Sequence, residues 1–95
     1  MRTKEKKTWI IGIGNSDSDG VVFRKFVGTE AGVKTKLMVL IREDRNADRE
    51  SWDYGTECKS EIATDPDGTM NGYNCFTTYH IDYTAKPFEA IKEVA

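Results

Sequence analysis

The sequence is poor in the residues that build metal centres, disulfide frameworks and membrane spans. Its 95 residues include two cysteines and one histidine, too few for a tetrahedral zinc site within one chain. No run approaches the roughly 20 apolar residues of a membrane span, and no signal-peptide core follows the basic start. We therefore expect a single small domain in the cytoplasm, where Cys58 and Cys75 would be free thiols.

Two Asp-rich runs that end in glycine predict two β-hairpins. They occupy residues 15–20 and 65–68. Glycine accepts positive φ, and an Asp side chain bonds the nearby backbone, so both residue types favour tight turns. Stretches rich in β-branched and aromatic residues flank each run, as strands require. The predicted strands are residues 9–13 and 21–27 around the first turn, and 57–62 and 73–83 around the second.

Between the hairpins the sequence predicts one amphipathic helix, from about Thr29 to Arg45. Thr29 is a suitable N-cap, and apolar residues follow at helical spacing at positions 33, 37, 40 and 41. Residues 42–46 would form its solvated end. The expected architecture is ββαββα, an α+β fold with a four-stranded, mainly antiparallel sheet in residues 8–95, after a flexible basic tail of residues 1–7.

The end of the chain predicts a second, short helix. Pro87 suits the first helical turn, and Phe88 and Ile91 would form the inner face. In the strand before it, alternation predicts two faces. One face would meet the helices and hold Tyr73, Cys75, Thr77, Tyr79, Ile81 and Tyr83, and the other would hold Asn74, Phe76, Thr78, His80 and Asp82.

Two patterns resemble chemical sites. Asn15, Asp17 and Asp19 alternate as in a calcium loop, but Phe26 stands where the bidentate Glu of an EF-hand belongs. His80 and Asp82 share a strand face, and such a pair can orient a general base. Cys75 would point through the sheet away from them, so no nucleophile completes the set. We expect no metal, no cofactor and no enzymatic activity.

Charge suggests a protein partner. Residues 42–68 carry nine acidic and four basic side chains, and two large aromatics stand among them. Aromatic anchors within a charged rim are typical of protein interfaces. The predicted contact residues are Asp48, Glu50, Trp52, Asp53 and Tyr54. Closure of the core by Trp52 is the structural alternative.

Nucleic-acid binding is the alternative function. An open sheet face around Lys59, Phe76 and His80 would offer stacking and charge. The basic tail, with four cationic and one acidic residue in positions 1–7, would add to it. Glu57, Glu61 and Asp82 oppose this charge, so the protein partner is the preferred hypothesis.

Three stretches, residues 41–45, 52–57 and 79–83, together resemble short uncharacterised proteins encoded in bacterial genomes, often near mobile elements. This resemblance implies an intracellular bacterial accessory protein. It carries no catalytic residues that could be transferred to this chain, so the expectations about function rest on the residues themselves.

Overall fold

One helix covers one face of an antiparallel sheet. The computed structural model describes residues 5–18, 20–52 and 62–94. These residues form five strands in the order β2-β1-β5-β4-β3. The elements are β1 (Lys7–Asn15), β2 (Val21–Gly28), α1 (Glu30–Ala47), β3 (Ala63–Thr64), β4 (Met70–Cys75) and β5 (His80–Pro87). The predicted α+β class and single main helix are confirmed, whereas the predicted four strands are five.

Both glycine-ended runs form hairpin turns, as predicted. Gly20 and Gly68 have φ of +85° and +92°, a region that disfavours other residues. In the β3–β4 turn the Gly68 N–H donates to the carbonyl oxygen of Asp65 at 2.9 Å, and Asp67 Oδ1 accepts from the Thr69 N–H at 2.9 Å. Local turn chemistry therefore places these two turns.

The helix begins and packs as its sequence indicates. The Thr29 hydroxyl accepts from the Gly32 N–H at 3.0 Å, which satisfies one of the unpaired donors of the first turn. Val33, Leu37 and Ile41 are fully buried on the sheet-facing side. The core that they join also contains Trp9, Ile11, Met70, Phe76, Ile81, Tyr83 and Ala85.

The predicted long strand of residues 73–83 is divided by a turn. β4 ends at Cys75, and β5 begins at His80, its cross-strand partner. Directly paired residues of an antiparallel ladder share a face. The turn therefore reverses the predicted faces of β4: Asn74 and Phe76 point toward the helix, whereas Tyr73 and Cys75 lie on the opposite, open face with His80. Alternation within one strand could not reveal this reversal.

The predicted C-terminal helix is a single 3-10 turn, Phe88–Ala90. Phe88 is 61% exposed and Ile91 42% exposed, so neither forms an inner face. The helix-facing side of the sheet is already occupied by α1. At the other end β1 starts at Lys7, inside the predicted tail, and Lys7 Nζ lies 3.0 Å from Glu89 Oε2. The predicted strand 57–62 lies outside the described residues except for Ile62.

Cys75 is disulfide-bonded, so the expectation of free thiols is wrong for this residue. The other cysteine of the sequence, Cys58, lies outside the described residues. Disulfides persist mainly in oxidising compartments. The thiol argument for a cytoplasmic location therefore no longer holds, and that location stays a prediction. No helix within the described ranges is long and apolar enough to cross a membrane.

Candidate functional site

The described members of the predicted acidic contact site are mostly part of the fold. Asp48 Oδ2 accepts a hydrogen bond from the Tyr79 hydroxyl at 2.5 Å. Trp52 is half-buried against the core, and the Arg45 guanidinium lies 4.4 Å from the centre of its ring. Glu50 is exposed, while the remaining two predicted residues, Asp53 and Tyr54, lie outside the described residues. Trp52 thus closes the edge of the core, the alternative that the sequence left open.

A buried polar network joins the end of the helix to the sheet. Asn74 is fully buried, and its Nδ2 donates to the Ile41 carbonyl and to the Tyr83 hydroxyl oxygen, both at 3.0 Å. Its Oδ1 accepts from Arg45 Nε at 2.8 Å. The Tyr83 hydroxyl in turn donates to Asp44 Oδ2 at 2.5 Å. The predicted solvated end of the helix is therefore anchored to the sheet by two of its charged residues.

Burial and these hydrogen bonds shift the ionisation of the network. The hydrogen bond to Asp48 and desolvation raise the pKa of Tyr79 from 10.0 to about 12. Burial and the hydrogen bond to Asp44 raise the pKa of Tyr83 further still. Desolvation lowers the pKa of Arg45. The two tyrosines therefore remain protonated donors where an exposed tyrosine would ionise.

This arrangement predicts that stability falls as pH rises above about 10. An unfolded tyrosine loses its proton near 10.0, whereas folded Tyr79 holds its proton to about 12. Between these values the unfolded state binds fewer protons than the folded state, so rising pH favours unfolding. Urea unfolding measures the free energy of unfolding at neutral pH and at about pH 11. Between these two pH values, Tyr79→Phe should lose less of this free energy than the natural protein does.

The control for this pH experiment is Tyr73→Phe, which removes the hydroxyl of a more exposed tyrosine on the opposite face of the sheet. Its loss of stability between the two pH values should match that of the natural protein. Equal losses in all three proteins would contradict a protecting role for the hydrogen bond between Tyr79 and Asp48.

The predicted nucleic-acid face is incomplete in the structure. Phe76 is 5% exposed and lies on the helix side, where it stacks on Tyr79 at a 4.5 Å centroid distance. It is therefore unavailable for stacking on bases, which corrects the face assigned from the sequence. His80 does lie on the open face, 5.4 Å from the Tyr73 ring, but Lys59 lies outside the described residues.

The His80–Asp82 pair, the candidate general base, gains no thiolate nucleophile from Cys75. His80 Nε2 and Asp82 Oδ2 are 3.7 Å apart, and both side chains are substantially exposed. Cys75 lies across from His80 on the same face, not on the opposite face as predicted. Its sulfur is held in a disulfide and is not a free thiolate.

The side chains of the first loop serve its turn. Asn15 Oδ1 accepts from the Asp17 N–H at 2.9 Å, the hydrogen bond of an Asx turn. Asp19, the third residue of the calcium-like pattern, lies outside the described residues. Elsewhere in the described part of the chain, no three His, Cys, Asp or Glu side chains gather in a way that could hold a metal ion.

Strand β2 carries an exposed apolar surface that the sequence analysis did not identify as a site. Val21, Val22, Phe23 and Val27 are 52%, 53%, 70% and 59% exposed. β2 is the outermost strand, and within the described residues its only strand neighbour is β1. One signal was available in the sequence: this strand is apolar on both faces, whereas one main helix can cover only one face of a sheet.

A groove extends this apolar surface across the open face of the sheet. Gly12 and Gly14 form its floor, because the absence of their side chains leaves a gap beside Val21 and Phe23. Thr84 of β5 lies on the far side. The groove encloses about 450 Å³. The groove therefore joins Val21 and Phe23 to the adjoining face of the sheet, where Asp82 and Lys86 also line it.

Comparisons with known proteins do not add a function. The resemblance of residues 41–45, 52–57 and 79–83 to short bacterial accessory proteins stays a prediction, and it transfers no functional residue. No protein-family model, no curated protein and no solved structure matches this chain.

Proposed function

We propose that this protein is a small non-enzymatic binding module that contacts a protein partner through β2 and the adjoining open face. One observation carries the proposal: Val21, Phe23 and Val27 are exposed on the open face of the strand at the edge of the sheet, and Val22 is exposed on its other face. Exposed apolar side chains grouped in this way mark interaction surfaces. Such an edge strand also presents unpaired N–H and C=O groups, which favour pairing with a strand from another chain.

Strand addition suits this edge better than insertion of a helix or a flat contact. β2 is eight residues long, enough to pair with an extended segment over its full length. Main-chain hydrogen bonds would supply affinity, and side chains on the two faces would supply specificity. Phe23, the most exposed of the four, would be covered by the partner on the open face.

The acidic segment is the second candidate surface for the same function. Its support is smaller, since Asp48 and Trp52 already bond or pack within the fold, and Glu50 is the described member that remains exposed. Nucleic-acid binding has less support than either protein surface, because Phe76 is buried and the chain carries a net charge of −2.

The two protein surfaces can be distinguished by matched variants. We expect the double variant Val21→Thr, Phe23→Ser to lose a partner that the natural protein retains, because it removes apolar contact area on β2. Glu50→Lys should keep that partner. The measurement is affinity purification from the source cells, with each copurified protein quantified by mass spectrometry.

A stability control accompanies this experiment. Both β2 side chains are more than half exposed, so the double variant should change the free energy of unfolding by no more than about 0.5–1 kcal/mol. A partner kept by the β2 variant and lost by Glu50→Lys would contradict the β2 surface and return the site to the acidic segment. If neither variant loses a partner, the result would contradict both the β2 surface and the acidic segment as binding sites.

A further inference from the structure

Two adjacent cationic residues occupy the middle of the exposed edge strand. Arg24 pairs with Ile11 and Lys25 with Ile10 across the β1–β2 ladder. Successive residues of a strand point to opposite faces. Arg24 therefore lies on the helix side and Lys25 on the open face. Both are exposed, and neither forms an ion pair with another described residue.

Apolar residues flank each of these cations on its own face. Phe23 and Val27 stand two positions to either side of Lys25 on the open face. Val22 and Phe26 stand two positions to either side of Arg24 on the helix side. The outer edge of β2 thus repeats the same order on both faces, with a cation between two apolar side chains.

We propose that β2 binds an extended segment of another protein that carries two consecutive acidic residues between apolar ones. The inference rests on the proposed function of β2 and names its partner. In a paired strand, directly opposite side chains share a face and lie close together. Consecutive acidic residues point to opposite faces, so one meets Arg24 and the other Lys25. This match holds for parallel and for antiparallel pairing.

The same charges argue against a second copy of this chain as the occupant. Two β2 strands paired edge to edge would bring two copies of Arg24 and Lys25 into one short ladder. Like charges on neighbouring positions destabilise a sheet, and lysines on edge strands are a common protection against self-pairing. An acidic segment turns this repulsion into attraction, and charge complementarity of this kind selects partners.

The test uses two blocked eight-residue peptides. One has Asp and Glu at its two central positions, the other has two lysines there, and both have Val or Thr elsewhere. We expect the acidic peptide to shift the amide resonances of residues 21–27 and to bind about tenfold tighter than the lysine peptide at low salt. The double variant Arg24→Glu, Lys25→Glu should reverse this preference.

A matched variant separates local from overall charge. Lys34→Glu with Lys36→Glu changes the net charge by the same amount at two exposed positions of the helix. It should keep the preference for the acidic peptide. If that variant also reversed the preference, overall charge would be the cause, and the inference would be overturned.

The remaining outcomes distinguish the inference from the proposed function. Peptides that bind at residues 21–27 with equal affinity would support strand addition and overturn the acidic partner. An acidic peptide that causes no shift at residues 21–27 at millimolar concentration would overturn the inference. The copurification experiment tests the proposed binding function independently. Concentration-dependent dimers in sedimentation velocity, abolished by Val21→Thr with Phe23→Ser, would identify a second copy as the occupant.

Discussion

Leu37→Ala is expected to lower the free energy of unfolding by about 2–5 kcal/mol. Leu37 is fully buried in the middle of the helix, between Val33 and Ile41. Its truncation removes apolar contacts and leaves a cavity between the helix and the sheet. The surrounding core relaxes only in part, so the lost contacts add to the lost burial. Urea unfolding followed by circular dichroism measures the change.

The control for this cavity is the neighbouring Lys36→Ala. Lys36 is exposed on the same helix turn, so its replacement should change the unfolding free energy by no more than about 0.5 kcal/mol. The two substitutions change helix propensity by nearly the same amount, but only Leu37→Ala removes a buried side chain. A loss below about 1 kcal/mol for Leu37→Ala would be typical of a surface position and would contradict the packing of this helix face.

Asn74→Ala should lower the free energy of unfolding by about 2–4 kcal/mol, because it leaves several buried polar groups without a hydrogen-bond partner. Arg45 Nε would lose its acceptor, and the Ile41 carbonyl and the Tyr83 hydroxyl would each lose a donor. A buried polar group without its partner costs more than the mean value of a hydrogen bond. Thermal or urea unfolding measures the loss.

Asn71→Ala is the matched control for the network. Asn71 lies on the same strand, and its Nδ2 donates to Asp65 Oδ2 at 3.2 Å in an exposed position. Its loss should cost less than about 1 kcal/mol, since water replaces Asp65 and the hydrogen bond that Asn71 Oδ1 accepts from the Thr84 hydroxyl is long, 3.4 Å. A double-mutant cycle of Asn74→Ala with Tyr83→Phe should be non-additive, because both residues belong to one network. Additive losses would contradict that coupling.

The candidate site was only partly predictable from the sequence. β2 was predicted as a strand, but its exposure was not, because exposure depends on which strand ends the sheet. The acidic segment looked like a contact surface because charge and aromatic content are visible in the sequence. Asp48 instead accepts a hydrogen bond from Tyr79, and Trp52 packs against Arg45. No local sequence pattern predicts these contacts.

The elements whose causes are local could be predicted from the sequence. Positive φ at Gly20 and Gly68, the Thr29 cap and the helical spacing of apolar residues act over a few residues, so the turns and the helix could be placed. Two predictions from local patterns were wrong. The turn after Cys75 has no glycine or proline. The spacing of Phe88 and Ile91 after Pro87 fits a helix, but these residues form only one 3-10 turn.

The strand order, and the face of the sheet on which each side chain lies, depend on how the whole chain packs. β1 pairs with β5, which places Trp9 opposite Pro87 although most of the sequence separates the two residues. This pairing leaves β2 at the edge. Asn74 is buried because Ile41, Arg45 and Tyr83 converge on it from other elements. Such pairings are selected by the free energy of the whole packed chain, whereas a local pattern specifies only the residues beside it.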